Sequence, residues 1–143
     1  MLDVHELVKK EEFYYSDLIY IKGSGFLEYT IANNGLFFNK KNQIEWVELT
    51  DIFANSTSES NGSIYVCGEC SAHSSCGFFY KKTNENIDWF LMSLEFGPFV
   101  NIIKNDREIR FLSEENSGFI VLNNNELDVK NKFLFDMKLR NRP

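Results

Sequence analysis

The chain reads as a mainly β protein, with α+β as the variant: one curved or barrel-like antiparallel sheet of about nine strands and a short N-terminal helix. Three observations predict this. Aromatic residues are abundant, with 14 Phe, 6 Tyr and 2 Trp, while Ala occurs only at positions 32, 54 and 72; that balance favours sheets over helical bundles. Short apolar segments alternate with clusters of Asn, Gly, Asp and Ser, the pattern of strands and turns. The connections are only a few residues long, which joins successive strands into antiparallel meanders. At 143 residues, with no linker and no internal repeat, the chain is expected to form a single domain, 1–143.

The elements follow in order. Leu2, Val4, Leu7 and Val8 stand among charged residues over positions 2–10 and predict a short, poorly capped helix. Residues 12–21 read as a strand buried on both faces. Gly23-Ser24-Gly25 is a turn, and residues 26–32 form the next strand. Asn33-Asn34-Gly35 predicts a tight hairpin, because Asn and Gly both accept positive φ. Residues 36–38 and 44–49 are strands, and residues 55–62 are the most loop-like stretch. A Cys-containing hairpin spans residues 64–82, and an apolar strand spans 87–96 up to the Gly97-Pro98 break. Residues 99–104, 108–112 and 119–122 are further strands. Residues 129–139 close the chain with Val129, Phe133, Phe135, Met137 and Leu139 on one face.

Composition narrows the function. A net charge of -6 and a pI near 5.0 leave no basic face for a phosphate backbone, so no direct nucleic-acid partner is expected. No uninterrupted apolar run exceeds four residues, as in Trp89 to Met92, against about 20 for a membrane helix. The N-terminus shows no basic start followed by an apolar stretch, so a cytoplasmic protein with reduced cysteines and no membrane association is expected. No Gly-x-Ser-x-Gly elbow, P-loop or dinucleotide fingerprint occurs, and the chain is read as non-enzymatic.

One cluster suggests chemistry. Cys67, Cys70, His73 and Cys76 read C-x2-C-x2-H-x2-C, a donor set that suits tetrahedral zinc. Against this, all four come from one tight loop, whereas structural zinc sites split their ligands into two pairs. A hairpin here would also place Ile64, Val66 and Gly68 on one face with Cys70, and Cys67 on the other. The expectation is therefore no cofactor, with a zinc module as the alternative. A second alternative is a β-barrel whose many Phe residues enclose a small apolar ligand.

Charge is uneven. Residues 42–80 hold no Lys or Arg but hold Glu45, Glu48, Asp51, Glu59 and Glu69; extending to residue 103 adds Glu85, Asp88 and Glu95 against Lys81 and Lys82. An acidic region of this kind speeds and orients docking of a cationic protein. Glu45, Glu48, Asp51, Glu59, Glu69 and Asp88 are the candidate partner-binding residues. Trp46, Phe53, Tyr65 and Trp89 are candidate anchors, some of which must instead be core.

Trp89-x3-Ser93-x4-Pro98-Phe99, with the small size, the acidity and the missing catalytic signature, resembles the immunity proteins of bacterial toxin systems, including those of contact-dependent growth inhibition. The resemblance implies a cytoplasmic protein that binds one cognate toxin and blocks it, often by covering its active site. It assigns no residue a role.

Overall fold

The computed structural model describes residues 3–32, 35–38, 48–114, 118–122 and 135–138. The fold is mainly β, as expected. Helix α1 (Val4–Lys9) is followed by strands β1 (Glu12–Tyr14), β2 (Leu18–Ile21), β3 (Gly25–Ala32), β4 (Gly35–Phe38), β5 (Leu49–Ser60), β6 (Ser63–Cys70), β7 (Gly77–Thr83), β8 (Asn86–Ser93), β9 (Asn101–Lys104), β10 (Glu108–Leu112), β11 (Gly118–Leu122) and β12 (Phe135–Lys138). An eight-stranded antiparallel sheet has the order β1-β5-β6-β7-β8-β2-β3-β4, and a four-stranded meander has the order β12-β11-β10-β9.

The described strands number twelve rather than about nine, for physical reasons. Residues 12–21 are not one strand. They break at residues 15–17, and β1 and β2 then take distant places in the sheet order. Residues 55–60 are not loop: β5 runs through them because β6 pairs with it from Ile52↔Cys70 to Ser60↔Ser63, with one bulge between Ala54 and Ser56. The turn is confined to Asn61-Gly62, both at positive φ (49° and 83°). The strand expected over 87–96 ends earlier, at Ser93. Residues 44–47 and most of 129–139 lie outside the described residues.

Two cores flank the large sheet. On one face, Ile19, Tyr65, Cys67, Phe79, Trp89 and Leu91 pack against Phe99, Phe111, Phe119 and Val121 of the small sheet and its approach. Phe79 stacks on Phe111 with centroids 4.1 Å apart. The outer strands of the meander lie beside the large sheet, β12 next to β4 and β9 next to β5 and β6. On the other face, Val66, Phe78, Phe90 and Met92 meet Val4 and Leu7 of α1 and Phe13 of β1. Phe13 stacks on Phe90 at 4.0 Å although three strands separate β1 from β8 in the sheet. The sheet therefore curls toward that face. His5 ties α1 down, its Nε2 accepting the Ile87 N–H at 3.1 Å.

Candidate protein-docking face

The first three residues of β5, Leu49 to Asp51, reach past the end of β6 and pair there with β1. Alternation puts Thr50 and Ile52 inward and Leu49, Asp51 and Phe53 outward. Leu49 is 42% exposed and Phe53 49% exposed, unusual for side chains of that size beside a formed core. Glu69 stands opposite Phe53, and Glu12 stands opposite Asp51. Glu48 precedes the strand and is exposed. Among the described residues no cation forms an ion pair with Glu12, Glu48, Asp51 or Glu69; the pairs present are Asp3–His5, Lys81–Asp88 and Glu108–Arg110.

The backbone under Phe53 has a sequence cause. A Cβ on Gly68 would run into the Phe53 carbonyl oxygen, so only glycine lets β5 cross β6 this closely. The next step is a bulge between Ala54 and Ser56. It leaves Asn55 unpaired in the ladder, and its Nδ2 donates to the Phe99 carbonyl at 3.1 Å.

The loop after β6 forms one wall of this face. Ser71 N–H donates to the Asp51 carbonyl at 3.0 Å, and Tyr15 N–H donates to the Glu48 carbonyl at 2.7 Å. A disulfide joins Cys70 and Cys76. His73 Nε2–H donates to the Leu94 carbonyl at 2.6 Å, and its Nδ1 hydrogen-bonds with the Tyr15 hydroxyl. Gly97 N–H donates to the Ser75 carbonyl at 2.8 Å.

The sequence-predicted residues are thus sorted. Cys70 and Cys76 are brought together, as a disulfide rather than as reduced thiols. Cys67 lies on the opposite face, in the core between the sheets, as hairpin alternation predicts. Burial there pushes its thiol up to about 12, an effect only partly offset by the Ser56 backbone, so the thiolate that a metal needs is disfavoured. Both ring nitrogens of His73 have protein partners. Among the described residues no group of three or more His, Cys, Asp or Glu side chains converges on one point.

Of the acidic candidates, Glu48, Asp51 and Glu69 share the face around Phe53. Glu59 does not join them: it lies near the far end of β5, beyond the bulge. Asp88 is engaged elsewhere, with Lys81 and Thr83. Glu45 and Trp46 lie outside the described residues. Of the aromatic candidates Phe53 is outward, while Tyr65 and Trp89 are core at 3% and 2% exposure. Sequence reasoning missed Glu12 and Leu49, since only the β1–β5 register brings them in. The Phe rings that suggested a ligand-enclosing barrel stack on one another, Phe79 on Phe111 and Phe13 on Phe90. Compared with protein-family models, curated proteins and solved structures, the chain matches none.

Proposed function

We propose that the protein is a non-enzymatic inhibitor that docks a cationic protein, a toxin domain, on the face formed by Glu12, Glu48, Leu49, Asp51, Phe53 and Glu69. The observation that carries this reading is the pair of opposed carboxylates, Glu12 and Asp51, which have no ion-pair partner among the described residues, beside a half-exposed Phe53. Like charges directly opposite in a ladder are destabilising. Their presence makes sense when a basic partner supplies the missing charge and Phe53 and Leu49 fill its apolar pockets. The immunity-protein resemblance supplies the toxin class and, with it, a cytoplasmic site of action. Among the described residues no helix is long and apolar enough to cross a membrane.

The test is growth rescue. The protein is co-expressed with a panel of cationic toxin domains to find the one it neutralises, and affinity for that domain is then measured. Phe53→Ala and the Asp51→Lys/Glu69→Lys pair are expected to weaken binding at least about tenfold, the scale of a central anchor, with circular dichroism unchanged. Association is expected to slow as salt rises, because steering is screened. Rescue by no domain, or undiminished affinity in both variants, overturns the reading.

A further inference from the structure

A second feature lies at the other end of β5, roughly 20 Å along the strand from Phe53 at about 3.3 Å per residue. There the seam between the two sheets opens into a cleft of about 590 Å³, lined by Ser60, Asn61, Ser63, Tyr65, Lys81 and Lys104, with Glu59 and Asp106 also on its wall. Lys81 comes from β7 of the large sheet and Lys104 from β9 of the small one. Their ammonium nitrogens lie 5.9 and 6.0 Å from the centroid of the same Tyr65 ring.

Lys81 is under-compensated. Its side chain is only 15% exposed, and a desolvated ammonium needs an anion at hydrogen-bond distance. Among the described residues the nearest carboxylate oxygen, Asp88 Oδ2, is 3.9 Å away, beyond that distance. The same oxygen already accepts the Thr83 hydroxyl at 2.6 Å, and Thr83 Oγ1 lies 3.1 Å from Ser63 Oγ in the cleft wall. Lys104 contacts the Ser60 hydroxyl, and no described carboxylate pairs with it. Two cations thus lie against one aromatic ring, and an anion bound in the cleft would give them charge-assisted hydrogen bonds that no described carboxylate supplies.

We propose that this cleft is a binding site for a small anionic metabolite, with a phosphate or carboxylate head between Lys81 and Lys104 and a hydroxyl-bearing body along Ser60, Asn61 and Ser63. The volume suits a ligand of that size. Glu59 and Asp106 turn away an extended polyanion such as nucleic acid or an acidic bilayer, and select a compact ligand.

Inorganic phosphate is the probe, titrated into the full chain at constant ionic strength against sodium chloride, with backbone amide shifts as the readout. Saturable shifts are expected at residues 60–63 and 104–106, with a midpoint in the millimolar range. Lys104→Met and Lys81→Met are each expected to weaken binding at least fivefold, and Lys104→Arg to retain it. Lys104 is exposed, so its Met variant keeps the fold even if the Lys81 variant does not. Shifts that never saturate, that chloride reproduces, or that persist in Lys104→Met overturn the proposal. So does lysine-dependent sedimentation with phosphatidylserine vesicles in the absence of a phosphate response, which would identify a membrane headgroup as the ligand.

Discussion

At Cys67 a single position carries a pH dependence. Burial between the sheets holds its thiol up to about 12, against 9.0 for a free thiol. From about pH 9 upward the unfolded chain loses this proton while the native chain keeps it. The unfolded state then binds fewer protons, so stability falls as pH rises, and the contribution is fully present only below pH 9. Tyr29 acts in the same direction from its ordinary value of 10.0, raised chiefly by burial and then by Asp17. Melting temperature followed from pH 8 to 10.5 is expected to drop more steeply for the native protein than for Cys67→Ala; parallel curves would refute this. The placement of Cys67 was legible, because alternation along residues 64–70 separates it from Cys70. The disulfide was not, since loop geometry rather than spacing decides which thiols meet. Among the aromatic candidates, nothing in local sequence distinguishes Phe53 from Trp89. Both sit in strands, and only the second sheet, packed on one and not the other, decides which is buried.

At the scale of elements, the connection between β6 and β7 is tied down at several points. The Cys70–Cys76 disulfide, His73 and Ser71 anchor it to four neighbouring segments. A cross-link at a sequence separation of 6 closes a short loop, which loop-closure entropy values at about 2 kcal/mol. For a chain of this size that corresponds to a fall in melting temperature of roughly 4–8 °C on reduction. The Cys70→Ser/Cys76→Ser variant is expected to melt where the reduced protein melts and to ignore dithiol; an unshifted transition with two newly titratable thiols would contradict this. Turn chemistry made most elements legible: Gly23-Ser24-Gly25 stands where the hairpin of β2 and β3 needs it. Asn61-Gly62 carries the same hairpin signal, but it sits at the end of a polar run, Asn55 to Ser60, that reads as loop. Those residues extend because pairing with β6 overrides their weak strand preference.

For the whole molecule, two cores share one sheet, and Phe79 is the point where the sheets meet. Its ring lies against Trp89, Phe99, Phe111 and Phe119. Phe79→Ala is expected to cost about 3–5 kcal/mol by urea unfolding, a large part of the ~5–15 kcal/mol that holds a domain of this kind together. A loss below about 1 kcal/mol would mean the sheets are docked elsewhere. The β class was legible from composition and turns. The strand order was not, because the link from β1 to β2 is three residues long yet spans from one edge of the large sheet to its interior. That route has a consequence for biosynthesis. The segment from α1 to β1 leaves the ribosome before its partners do: β1 has no ladder until β5 is made, and His5 Nε2 cannot meet the Ile87 N–H until 82 residues later. Nascent chains therefore carry Phe13, Tyr14 and Leu7 without the Phe78 and Phe90 side of their core until those residues are made, and the segment is put in place well after it is synthesised.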